Sequence, residues 1–151
     1  MQDLSLRVLQ TETFLEFARL AAIQHRRLGE LFLRAELGEI TPQQSRALMV
    51  LFQARAPLTA RELSGRMGCS EVTISRFVRA LDKAGWVERR QDPADKRAWF
   101  LTPTPKAREA FPRFIRVSNE LLDEIFTGFE RGEIEQLADV VGRIRTNLGE
   151  G

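Results

Sequence analysis

Two groups of side chains in this 151-residue chain are suited to binding rather than to catalysis. The first is Ser70, Glu71, Val72, Thr73, Ser75, Arg76 and Arg79, which mixes short hydrogen-bonding groups with two guanidinium groups. The second is Arg89, Arg90, Asp95, Lys96 and Arg97, set around the turn signal Asp92-Pro93. Donors and cations in such density suit a polyanion, whose phosphates they neutralise. Asp92 and Asp95 can be read instead as a carboxylate pair for acid–base work, but that needs a cleft and a raised pKa, and a hairpin tip offers neither. A role in orienting Arg97 fits Asp95 better. His25 and Cys69 are the only histidine and cysteine, so an ordinary zinc site cannot be assembled within one chain and no intrachain disulfide can form. With no nucleophile–base pair, phosphate loop or metal cluster, the expectation is no catalytic residue, no metal, no cofactor and no enzyme.

Charge partition supports the binding reading. Residues 55–108 hold twelve Lys and Arg against six Asp and Glu, a net of +6 inside a chain of net +2. Residues 1–54 are balanced, and residues 109–151 carry a net of −4. On charge alone a solvated face accounts for the basic third equally well. No apolar run reaches the roughly 20 residues of a spanning helix, and Met1-Gln2-Asp3-Leu4 lacks the layout of a signal peptide. A cytoplasmic protein with no membrane contact is the expectation.

The elements that must position these groups follow from spacing. Phe14, Phe17, Ala18, Ala21, Leu28, Leu31, Phe32 and Ala35 predict a long helix over residues 11–37, stopped at Gly38. Its apolar face is long enough that a second chain is one way to cover it. Thr41 and Gln44 form a capping box around Pro42, and Thr59 and Glu62 form another. The second helix is short, ending near Met67 and turning at Gly68-Cys69. Cys69 is expected to plug the core as a small buried hydrophobe rather than to serve as a redox sensor. Ser70 caps a helix to Ala84 that points Ile74, Val78 and Leu81 inward and the first binding group outward, toward the end whose amides favour phosphate. Two helices across a tight turn form a helix-turn-helix, whose second helix enters a major groove. Trp86–Arg90 and Ala98–Leu101 predict a hairpin, or wing, with Lys96 and Arg97 at its tip. Pro103 is expected to end the second strand by Phe100 to Thr102. A helix from Thr104-Pro105 toward Gly128 contains Pro112, which should bend or split it. A last helix runs from about Glu133 to Leu148, with Leu137, Val140, Val141 and Ile144 at helical steps.

From Thr41 to Arg108 the chain resembles the multiple antibiotic resistance regulator (MarR) family of winged-helix transcription factors. The resemblance rests on Leu58-Thr59 with Glu62-Leu63, on Ser70, Thr73 and Ile74-Ser75-Arg76, and most specifically on Glu88-Arg89-Arg90-x-Asp92-Pro93-x-Asp95-x-Arg97-Ala98. It implies a mainly α, winged helix-turn-helix fold in three parts: an N-terminal dimerisation helix (1–40), a DNA-binding lobe (41–104) and C-terminal dimerisation helices (105–151). It further implies an obligate homodimer on the double-stranded DNA of a palindromic operator, most often a repressor released by a small, possibly aromatic or phenolic, effector. On the same resemblance Arg97 is the minor-groove residue, Asp95 its supporting carboxylate, and Ser70, Thr73, Ser75 and Arg76 take the recognition-helix contacts. Phe17 and Arg26 are candidate ligand residues, with dimer core and a solvated face as the plainer readings. Peroxide-sensing members carry a cysteine near the start of the first helix; this chain has none there and no tyrosine. The chain departs from the family's pattern at Pro103-Thr104, at Ala107 and at Trp86, where leucine is more usual. A transcriptional activator, a redox-responsive regulator and, from another class, a winged-helix protein-interaction module without DNA binding are the alternatives.

Overall fold

The structure, a computed structural model, describes residues 3–149. Met1, Gln2, Glu150 and Gly151 lie outside it, and with them the start of the stretch read for a signal peptide and the outer limits of the first and last expected segments. The order is α1 (Leu4–Arg34), α2 (Pro42–Gln53), β1 (Leu58–Thr59), α3 (Ala60–Met67), α4 (Glu71–Lys83), β2 (Val87–Gln91), β3 (Trp99–Pro103), α5 (Pro105–Ile125) and α6 (Arg131–Asn147). The strands form one antiparallel sheet in the order β1-β3-β2, so the fold is mainly helical with a small winged sheet, as expected. The chain forms two compact units that divide between Val117 and Ser118, inside α5. No helix among the described residues is long and apolar enough to cross a membrane.

Local chemistry sets the helix starts. Both capping boxes form: the Thr41 hydroxyl accepts from the Gln44 N–H while the Gln44 side chain accepts from the Thr41 N–H, and Thr59 and Glu62 do the same. Ser70 caps α4 by accepting from the Thr73 N–H at 3.2 Å. The α1 start differs from expectation. Asp3 accepts from the Ser5 N–H at 3.0 Å and begins the helix at Leu4, seven residues earlier than the apolar stripe alone indicates. The same helix ends at Arg34, four residues before Gly38. There the left-handed residue is Glu36 (φ 58°), and the Leu37 N–H reaches back to the Phe32 carbonyl at 2.8 Å. This is a Schellman closure with glutamate in glycine's usual place, and the fully buried Leu37 anchors it.

Neither Pro103 nor Pro112 interrupts the element that contains it. Pro103 is the last residue of β3, paired with Val87, because a terminal ladder position loses no interior bond when the N–H is missing. Pro112 lies inside α5, which is neither split nor ended there. β1, only two residues long, pairs Leu58 with Leu101 and Thr59 with Phe100. α6 starts at Arg131, two residues ahead of expectation, where Glu133 accepts from the Glu130 N–H at 2.8 Å.

The core of the first unit is built on Leu48, Leu63, Ile74, Leu81 and Leu101, all essentially without exposed surface. An aromatic cluster completes it: Phe114 meets Phe32 edge-on at 5.8 Å and Trp86 at 5.7 Å. Phe32 and Phe114 are therefore interior to one chain. Trp86 is a core residue before β2 rather than the first residue of the wing. Cys69 is half-buried rather than buried, its thiol 3.6 Å from the Met67 carbonyl, while Leu63 and Met67 of α3 are the buried residues nearby in the chain.

Candidate nucleic-acid interface

The helix that presents the first group is held at three places. Ile74, Val78 and Leu81 sink one face of α4 into the core. Gly68, at φ 63°, makes the turn before it, which the Ser64 hydroxyl fastens by donating to the Cys69 carbonyl at 2.6 Å. After it, Gly85 (φ 77°) reverses the chain, and the Lys106 ammonium donates to the Ala84 carbonyl at 2.9 Å. That ammonium also pairs with Glu39 at 3.0 Å and sits 4.4 Å from the centre of the Trp86 ring. The face left outward carries Glu71, Val72, Ser75, Arg76 and Arg79, which line one shallow depression. Val72, a branched apolar side chain, is 70% exposed on this face.

The second group stands on the hairpin. β2 pairs with β3 from Val87 opposite Pro103 to Gln91 opposite Trp99. Alternation places Val87, Arg89 and Gln91 on one face and Glu88 and Arg90 on the other. On the latter face the Thr102 hydroxyl donates to Glu88 at 3.1 Å. The tip is a pair of carboxylate turns. Asp92 accepts from the Ala94 N–H at 2.8 Å, and Asp95 from the Arg97 N–H at 2.9 Å. Gln91 closes the loop by donating to the Lys96 carbonyl at 2.7 Å. Asp95 thus orients Arg97 through the backbone of the loop, and the Arg97 side chain stands exposed at the tip.

Between α4, the start of α3 and the wing lies an open trough of about 580 Å³. It brings together Glu71, Ser75 and Arg79 from α4 with Arg89, Asp95 and Arg97 from the wing. Arg76 and Val72 adjoin it on the outer side of α4. Four expected residues line neither surface. Ser70 and Thr73 are occupied with the cap, their hydroxyls 2.9 Å apart. Arg90 lies on the other face of the sheet, and the Lys96 side chain is exposed on the loop. Two contributors were missed from the sequence, Arg61 at the start of α3 and Trp99 on β3. The Thr59–Glu62 capping box is the signal that could have placed Arg61, since it fixes that helix start beside the wing. Bonds from the Thr59 N–H and hydroxyl also hold the Glu62 carboxyl below its ordinary pKa.

Phe17 and Arg26 are both exposed on α1 and line neither surface. Nine residues apart, they differ by about 13.5 Å along the helix and half a turn around it, so they do not share a face.

Comparison with known proteins agrees with this geometry. The MarR family model matches residues 40–99. The chain is 29% identical over 87 residues to the HTH-type transcriptional regulator YcgE of Bacillus subtilis, covering 58% of this chain and 56% of that one. It is 28% identical over 87 residues to the transcriptional repressor MprA of Escherichia coli, covering 58% and 49%. The chain thus spans about half the length of these relatives. Among solved structures it is similar to MepR of Staphylococcus aureus in complex with DNA. The TM-score is 0.81 at 18% identity, over 89% of this chain and 96% of that one, a likeness of fold.

Proposed function

Because residues 40–99 form a MarR-family domain, we propose that this chain is a DNA-binding transcriptional regulator acting as a homodimer on an inverted repeat. One observation carries the reading. The trough sets exposed Arg97 at the wing tip and Ser75 and Arg79 on α4 along one surface, with Arg76 and Val72 beside it. A helix with that outward face fits a major groove, and a basic tip beside it fits the flanking minor groove, where a narrow width concentrates negative potential. Arg76, Arg79, Lys96 and Arg97 supply charge, Ser75 and Val72 read base edges, and Ser70 and Thr73 fix the start of the helix.

The dimer rests on apolar faces left open. Leu4, Phe14 and Leu20 of α1 are more than half exposed, and α6 buries none of its described residues. Covering such faces with a second copy leaves two winged lobes related by a two-fold axis, which calls for half-sites about one helical turn, roughly 34 Å, apart. Repression is the favoured outcome, in keeping with the relative named as a repressor, with release by a small effector. Such a role is cytoplasmic.

Arg97→Ala tests the wing assignment. With a labelled duplex selected by the wild-type chain from a random pool, anisotropy should show a loss of affinity of about tenfold or more at fixed salt. Far-UV circular dichroism should be unchanged, since the side chain is exposed. Wild-type affinity in the variant would mean that the wing does not touch DNA.

A further inference from the structure

The last turn of α4 carries a carboxylate, Asp82, at the end of a helix where the backbone dipole disfavours negative charge. Its Oδ2 lies 3.9 Å from Nη1 of Arg89, brought back to it by the reversal at Gly85. On its other side, the Arg89 guanidinium lies 4.9 Å from the centre of the Trp99 ring. Strand register explains this contact. Arg89 stands opposite Leu101 and Gln91 opposite Trp99, so Arg89 and Trp99 are diagonal neighbours on the face that also carries buried Val87 and Leu101. One guanidinium therefore spans the end of the recognition helix and β3, the middle strand of the sheet.

We propose that Arg89 is a positioning residue. With Asp82 and Trp99 it forms a strut that sets the angle between wing and recognition helix, and with it the reach of Arg97 relative to Ser75 and Arg76. It is not, in this assignment, a phosphate contact like the other basic residues of the wing. The proposal rests on the DNA-reading function above. The two roles differ in the sign of one substitution. A phosphate-binding arginine benefits when a neighbouring carboxylate is removed, because that carboxylate competes with phosphate and repels DNA. A strut is weakened by the same change.

The test uses the full chain and the duplex it selects from a random pool, titrated over a series of KCl concentrations. For the strut, Asp82→Asn binds about three- to tenfold more weakly although the chain has become more positive, as expected for losing one partly exposed pair in each of two copies. Arg89→Met weakens binding to a similar extent with an unchanged salt slope, and the double variant is no weaker than the weaker single one. Arg89→Lys keeps the charge but loses the planar stack on Trp99, so it also binds more weakly, whereas Trp99→Phe is close to wild type. The strut is overturned if Asp82→Asn binds as tightly as wild type or more tightly, or if Arg89→Met lowers the salt slope by about one. A DNA-free measurement separates this idea from the function beneath it. Asp82→Asn and Arg89→Met should both move the Trp99 indole N–H resonance of the free protein, and an unmoved resonance in Asp82→Asn rejects the strut. Failure of the wild-type chain to select any sequence rejects DNA reading instead.

Discussion

Between Thr41 and Thr104 the apolar side chains close on one another; along Leu4–Ile23 of α1 and along α6 they do not. Leu48, Leu63 and Ile74 have no exposed surface, while Leu4 is 77% exposed, Phe14 69% and Val141 54%. Residue type does not separate the two regions, since each has leucines, valines and phenylalanines at helical spacing. What separates them is the presence of a covering element within the chain. The lobe has several: α4 packs by Ile74, Val78 and Leu81, and α5 by Ala107, Ala110 and Phe114. Along Leu4–Ile23 of α1 and along α6 no described residue is buried, and exposed apolar stripes of that length mark interaction surfaces. The lobe is thus complete in one chain, and the open faces are where the proposed dimer would form.

The largest effect is expected in the core that closes the lobe. Phe114→Ala removes the ring that joins Phe32 and Trp86, so it should destabilise the protein by about 3–5 kcal/mol in urea unfolding. A change below about 1 kcal/mol would mean that the cluster does not organise the core. The open faces should respond differently. The pair Leu137→Asp and Val141→Asp lies on exposed positions of α6, so helix content should be retained while sedimentation shows the chain turning monomeric. Operator affinity should then fall by about a hundredfold or more, because the second half-site is no longer tethered to the first. Retained dimers would place the interface elsewhere.

The smallest effect is expected at the helix starts. Glu62→Ala removes the bond from the Thr59 N–H, 2.7 Å long, and should cost about 0.5–1 kcal/mol at neutral pH. The pH dependence has a definite sign. The Glu62 carboxyl sits below its ordinary value of 4.5 in the folded chain. Its contribution is therefore complete above pH 4.5 and is lost as the pH falls below that value through the folded pKa. The difference in Tm between wild type and Glu62→Ala should narrow in the same window, and a gap that stays constant would count against the capping bond.

Helix caps and the wing were legible in the sequence because their signals are local. Thr41–Gln44, Thr59–Glu62 and Ser70–Thr73 each form the bond their spacing implies. Asp92 and Asp95 lie in the turn between the two predicted strands. The inward face of α4 was legible too, since Ile74, Val78 and Leu81 are buried as their spacing implies. What escaped depends on distant partners. Periodicity marks Phe32 and Phe114 as facing something, but not that they face each other across 82 positions of chain. Two residues are too few to show a period, so β1 gave no signal. The start of α1 was missed because Asp3 acts ahead of the strongest part of the stripe. Arg89 counted as one more wing cation because its partners, Asp82 and Trp99, are brought to it only by the Gly85 turn and the strand register.

In the proposed function, two copies of the surface around α4 and the wing read one duplex together. Selection of a random-sequence duplex pool by the full-length chain, followed by sequencing, tests this most directly. The result predicted is an inverted repeat whose half-site centres lie about 10 base pairs or a multiple apart, with A·T-rich flanks where the wing tips lie. A single unrepeated half-site, or no enrichment over the starting pool, would contradict it.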